Sequence, residues 1–219
     1  NAWNNDAGST VHYVYAGTTT ASGGLNQSDG VNTVLFNDPD NDIAGAFDCF
    51  NGGVLAYSSY RTRGTRSFNG GTYAVIVEVD TVVQDGASCV LANHGNRDAA
   101  ELLTHELGHT LGLGHSCGDS GLVACVLGSL LDLATMRPYI HADGRGAVLG
   151  DDDRAGIDFL YPSGVAAPAT PAGSSGSGAA AASNSGGGSM SGFTLYVLAI
   201  GALLGLLRKK KQMEPHRTA

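Results

Sequence analysis

The chain has 219 residues and a net charge of −8, enough for one sizeable domain with appendages. Residues 1 to 207 carry seven Arg, no Lys and nineteen acidic residues, which leaves them at −12. A domain of that charge repels phosphate backbones, which argues against nucleic acid as a partner.

In chain order, the opening NAWNND has neither an initiator Met nor a signal peptide, which points to a removed leader or a start inside a longer coding sequence. Asp38, Asp40, Asn41 and Asp42 (DPDND) offer hard oxygens suited to Ca2+, against the plainer reading of a solvated acidic turn. Gly52 to Tyr60 and Gly71 to Val83 have the β-branched and aromatic content of strands. Arg97 to Leu113 is the clearest helix, with Asp98 and Glu101 spaced as a capping box and Leu102, Leu103, Leu107 and Leu111 spaced for burial. Asp151 to Tyr161 (DDDRAGIDFLY) reads as a second helix, acidic at its start and anchored by Ile157 and Leu160. Strands followed by helices predict an α+β domain, a mixed sheet with helices packed on it.

Four cysteines, Cys49, Cys89, Cys117 and Cys125, form an even set in a Gly-, Ser- and Asn-rich chain, as expected for two disulfides formed outside the cytoplasm. Three pairings are compatible with the spacing. The short local pair Cys117–Cys125 is preferred, leaving Cys49–Cys89. Free thiols or a second metal site are the alternative, and no C-x-x-C spacing supports the latter.

The chemistry concentrates in HELGHTLGLGH, residues 105 to 115. His105 and His109 are four apart, so one helix face presents both to a single ion. Glu106 stands beside them, placed to take a proton from a water on the metal. Gly112 is a candidate for the left-handed residue that ends the helix and returns the chain, bringing His115 to the same ion. Three neutral imidazoles with one open position define a catalytic zinc centre, whereas a structural one is closed by a fourth protein ligand.

This H-E-x-x-H-x-x-G-x-x-H pattern resembles the metzincin zinc proteases. Met136 in LATMRP matches the methionine turn of that family, and Ser116, Pro138 and the closing DDDRAGIDFLYP resemble its matrixin branch. FNDPDNDIAGAFDCFNGGVLAYSSY, Phe36 to Tyr60, is similar to secreted bacterial matrixin-like peptidases. The resemblance covers most of residues 1 to 162. It implies a metzincin-like catalytic domain: a twisted mixed sheet with an active-site helix and a C-terminal helix. It also implies a monomeric, zinc-dependent endopeptidase acting on extracellular protein or peptide substrates. In it Glu106 is the general base, His105, His109 and His115 hold one Zn2+, and Met136 packs beneath.

By the same resemblance Gly53, Val54, Leu55, Ala56 and Tyr57 form an edge strand that adds substrate as an extra strand, and Pro138 and Tyr139 belong to the wall of the pocket receiving the residue after the scissile bond. Three features depart from the family. The Tyr expected two residues beyond Pro138 is replaced by Ile140, with Tyr139 one earlier. The stretch Ser116 to Ala134 is longer and holds Cys117 and Cys125, which reads as a disulfide-closed loop beside the cleft. A structural-zinc H-x-D pattern is missing, so His12, His94 and His141 read as surface or core residues. Asn1 to Asn5 resemble the remnant of a first helix. The runners-up are a metzincin of another branch, astacin-like or reprolysin-like, and an inactive zinc-bearing surface binding module.

After the domain, residues 163 to 191 are an Ala/Gly/Ser/Pro linker too poor in apolar surface to order itself. Residues 192 to 207 are almost wholly apolar. The run Phe193 to Leu207 spans roughly 22 Å as a helix, against roughly 30 Å of hydrocarbon core. Residues 208 to 219 form a basic tail, which places that end in the cytoplasm and the domain outside. SGGGSMS, apolar helix and RKKK together resemble the GlyGly-CTERM sorting signals of Gram-negative bacteria. That implies an exported protein handled by a sorting protease. A plain C-terminal membrane anchor keeps the same topology.

Overall fold

The computed structural model describes residues 2–21, 23–25, 28–164 and 188–189. The expected linker, apolar helix and basic tail lie outside these, apart from Ser163, Gly164, Gly188 and Ser189. Among the described residues no helix is long and apolar enough to cross a membrane.

A mixed sheet is the frame. Strand β1 (Thr33–Phe36) runs parallel to β3 (Gly71–Val83), pairing Thr33 with Asp80 and Phe36 with Val83. Strand β2 (Ala56–Phe68) lies antiparallel on the other side of β3, so the order is β1-β3-β2. Asn69 and Gly70 join β2 to β3 with both φ positive, at 46° and 77°. An Asn-Gly pair adopts that two-residue turn because its twist matches the strands it connects. Gly188–Ser189, named β4, pairs with β3 at Val75 and Ala74, inside a stretch expected to be linker only.

The strand expected over Gly52 to Tyr60 is displaced. It begins at Ala56 and continues eight residues past Tyr60, because the hairpin to β3 propagates pairing from the Asn69–Gly70 turn. Gly53, Val54 and Leu55 are therefore outside it, and Gly53 has φ 147°. Leu55 still touches the sheet, its carbonyl accepting the Gln84 N–H at 2.9 Å.

Four α-helices follow among the described residues: α1 (Ser88–Leu91), α2 (Arg97–Thr110), α3 (Leu130–Leu133) and α4 (Asp151–Leu160). α2 packs on β2 and β3 and ends three residues earlier than expected, at Thr110. Gly112 sits just beyond, with φ +90°. The expected capping box is absent. Asn96 is the N-cap, in the left-handed conformation and without a side-chain hydrogen bond. Both carboxylates that would have formed the box are taken elsewhere. Asp98 meets His94 Nδ1 at 3.0 Å, and Glu101 accepts the backbone N–H of His141 at 2.6 Å while facing its ring Nδ1 at 2.6 Å. Long-range partners have outcompeted the local cap.

Two apolar clusters flank α2. Leu102 joins Ala56, Val83 and Ala87 on the sheet side. Leu111 joins Trp3, Met136, Leu149 and Ile157 on the other, with Leu107 only half-buried at its margin. Leu103 is likewise half-buried, against the sheet-side cluster. Trp3, fully buried in a short 3-10 turn (Trp3–Asn5), donates its indole N–H to the Thr104 carbonyl at 2.9 Å. The Arg154 guanidinium to Asp6, at 2.9 Å, and the Thr10 N–H to the Tyr161 carbonyl, at 2.8 Å, tie the N-terminal segment to α4. The result is a mixed α+β domain.

Two disulfides brace it, Cys49–Cys89 and Cys117–Cys125, with Cα atoms 6.5 and 5.0 Å apart. The first ties the loop before β2 to α1. The second closes a short loop after His115.

Candidate metal centre

His105 and His109 project from the last turns of α2, and the chain reversal beyond it delivers His115. The three rings stand with centroids 4.6, 4.9 and 5.3 Å apart. One ligand atom from each lies within 4.8 Å of the others, and no fourth His, Cys, Asp or Glu joins them among the described residues. Cys117, the nearest thiol in sequence, is consumed by its disulfide and fully buried.

Each ring is held through Nδ1. His105 Nδ1–H donates to the Thr135 carbonyl at 2.8 Å, His109 Nδ1–H to the Leu113 carbonyl at 2.9 Å, and His115 Nδ1–H to Asp119 Oδ2 at 2.8 Å. Carbonyls and carboxylates only accept, so the proton of each neutral ring sits on Nδ1 and the Nε2 lone pairs are left to converge. His105 Nε2 and His109 Nε2 are 3.0 Å apart. With both protons committed to Nδ1 there is none to share between them, so the pair is repulsive until a cation stands there. Tetrahedral zinc with N at about 2.0–2.1 Å sets its ligand nitrogens about 3.3 Å apart, and the donor set fits that ion. Burial pushes His105 well below its ordinary pKa and His115 below it too, which favours the neutral, ligating form.

Glu106 faces the same space. It is almost fully buried, and burial pushes its carboxyl up, while a hydrogen bond from Ser58 pulls the other way. Ser58 Oγ–H donates to Glu106 Oε2 at 2.7 Å and contacts Thr81 Oγ1 at 2.7 Å. Tyr57 lies close enough to feel the Glu106 charge, which adds to burial in raising its phenol.

A cleft of about 1370 Å³ opens over these groups. Gly53, Val54, Leu55, Ala56 and Tyr57 line it, as do Pro138 and Tyr139, so the segments singled out in the sequence share one cleft with the histidines. The disulfide-closed loop contributes Ser120, Gly121 and Leu122. Tyr139 is largely exposed, whereas Ile140 turns inward onto the sheet-side core.

Met136 is buried directly against α2 with Trp3. A Cβ on Gly108 would collide with Met136 Sδ and crowd the Trp3 ring. The backbone around Met136 is pinned by Asp153, which accepts the N–H groups of Thr135, Met136 and Gly150 at 2.7, 2.9 and 2.7 Å. Asp153 belongs to the acidic start of α4, where the sequence suggests only a favourable helix dipole.

The other candidates stand apart. The Asp38 carboxylate accepts the Asp42 and Ile43 N–H groups at 2.8 and 2.9 Å, and Asp42 accepts that of Leu25 at 2.8 Å. These two acids are therefore engaged in shaping the turn. His12 and His94 are exposed, and His141 is enclosed between Glu101 and the Asp132 carbonyl.

Sequence reasoning missed Asp119, Thr135, Ser58, Thr81 and Asp153. Only Asp119 carried a local signal, four residues after His115. No protein-family model, no curated protein and no solved structure matches the chain.

Proposed function

We propose that this domain is an exported zinc-dependent endopeptidase of metzincin type, nearest to the matrixin branch. The observation that carries the reading is the convergence of three Nδ1-anchored imidazoles beside the buried carboxylate of Glu106 in an open, mainly apolar cleft. His105, His109 and His115 would hold the ion and leave a fourth position for substrate. Zinc bound there supplies Lewis acidity toward a scissile carbonyl and makes water acidic enough to attack near neutral pH.

The chain's own groups do the rest. Glu106 takes the proton of the attacking water on the carboxylate oxygen that Ser58 leaves free, then returns it to the departing amine. The rim from Gly53 to Tyr57 and the wall of Pro138 and Tyr139 hold the peptide across the histidines. The apolar lining excludes water and strengthens each electrostatic contact. Two disulfides agree with a protein that works outside the cytoplasm.

The test is cleavage of an unbiased peptide library by the full chain, before and after a chelator, with zinc measured on the same sample. Cleavage that stops on chelation and returns with about one equivalent of zinc supports the reading. A zinc-loaded chain that cleaves nothing would instead leave a zinc-bearing binding module.

A further inference from the structure

The proposed general base does not stand alone. Glu106 is carried by α2, but the group that holds its carboxylate comes from the sheet. Ser58 is the third residue of β2, directly across from Thr81 of β3 in the antiparallel register. Its hydroxyl sits between two partners at the same distance, 2.7 Å to Glu106 Oε2 and 2.7 Å to Thr81 Oγ1. A serine hydroxyl has one proton to give. A carboxylate only accepts, so that proton goes to Glu106, and Thr81 must donate to Ser58. The direction of the chain is therefore fixed: Thr81 to Ser58 to Glu106.

Thr81 is 2 % exposed and Glu106 4 %, so neither can exchange this arrangement for water at low cost. In such surroundings a hydrogen bond to a charged oxygen is both stronger and more directional than in solvent. Neighbouring side chains suited to apolar packing, such as Ala56 and Val83, would have filled the same strand positions without a donor.

We infer that Ser58 is the positioning residue for Glu106, oriented in turn by Thr81, so that the sheet sets which carboxylate oxygen faces the reacting water. Ser58 occupies Oε2 and leaves Oε1 for the proton. Ser58 itself lines the cleft, and its side-chain bonds run to Glu106 and Thr81, so the role inferred for it is exerted through Glu106. The inference rests on the protease reading for its kinetic consequence, but the hydrogen-bond chain itself can be measured without it.

The experiment compares the full chain with Ser58→Ala, Ser58→Thr and Thr81→Val, each assayed for zinc content, thermal stability, kcat and KM on one cleaved peptide. Ser58→Ala is expected to lower kcat about 10- to 100-fold, the usual scale for removing an outer-shell partner. KM should stay within about twofold and zinc at wild-type content. Ser58→Thr, which keeps the hydroxyl, restores most of kcat. Thr81→Val lowers kcat in the same sense but less, and adds little to Ser58→Ala because both act on one chain. A Ser58→Ala protein with wild-type kcat and full zinc overturns the inference, as does a loss confined to KM or to zinc content.

If the zinc-loaded wild type cleaves no peptide, the protease reading fails separately. The Tm shifts of Ser58→Ala, Glu106→Ala and the double variant then decide the positioning claim. Non-additive shifts uphold the Ser58–Glu106 contact, and additive shifts remove it.

Discussion

Asp153 and His105 are linked through a single backbone segment. The Asp153 carboxylate accepts the Thr135 N–H at 2.7 Å, and the carbonyl of the same Thr135 accepts His105 Nδ1–H at 2.8 Å. The start of α4 thus sets the orientation of a ring on α2, although 48 residues separate the two in sequence. A buried carboxylate that satisfies three N–H groups cannot be replaced by an amide, which offers only one acceptor oxygen.

Asp153→Asn is therefore expected to cost about 2 to 4 kcal/mol of stability and to weaken zinc binding about 10- to 100-fold. Denaturant unfolding and a competitive zinc titration measure the two. Unchanged zinc affinity in a folded Asp153→Asn protein would show that His105 does not depend on the Met136 segment for its orientation.

Gly108 offers a sharper packing test. Glycine inside a helix normally costs roughly 0.5–1 kcal/mol relative to alanine, so replacing it ought to help. Here the added methyl would run into Met136 and Trp3. Gly108→Ala should lose about 1 to 3 kcal/mol through overpacking, and near-ultraviolet circular dichroism should report a disturbed Trp3. Stabilisation on substitution would place Met136 elsewhere.

Asp119 is the outer partner that the disulfide-closed loop supplies to His115. Its side chain is partly exposed, so Asp119→Ala should leave Tm nearly unchanged while loosening zinc about tenfold or more. Reduction of Cys117–Cys125 should act in the same direction by freeing the loop. Equal zinc affinity in wild type and variant would strip Asp119 of that role.

Asp132 gives a pH dependence. The Gly128 N–H, at 2.9 Å, and then Arg137, at 2.8 Å, hold its carboxyl below the ordinary value of 3.8. A depressed carboxyl stabilises the fold above its unfolded pKa, and that contribution is lost as pH falls through the folded one. The Tm of Asp132→Asn should thus lie below wild type at pH 6, and the gap should close as pH drops below about 4. A gap that is constant down to pH 2 would contradict the charge-based account of this loop.

What the sequence made legible was whatever local spacing encodes. The two histidines one turn apart, the glycine after them and His115 sufficed to draw the centre, because a helix and one reversal are short-range geometry. The even cysteine set and their short local pair likewise led to both disulfides. The Asn69–Gly70 turn was equally readable and would have extended β2 to Phe68, but the strand content of Gly52 to Tyr60 masked it. Asp98 and Glu101 show the opposite case. Their spacing favoured a cap, yet His94 and His141 claimed them once the chain had folded. Ser58 reaches the site from the sheet, Thr135 from the Met136 segment and Asp153 from α4, and no periodicity in one sequence reports such contacts.

The most direct measurement on the central claim is the peptide cleavage rate of Glu106→Ala against wild type, with both proteins at one zinc per chain. The three histidines remain in the variant, so its zinc should be unchanged, while loss of the proton acceptor should reduce kcat by about 100- to 10,000-fold. A Glu106→Ala protein that holds zinc and cleaves at the wild-type rate would contradict the account.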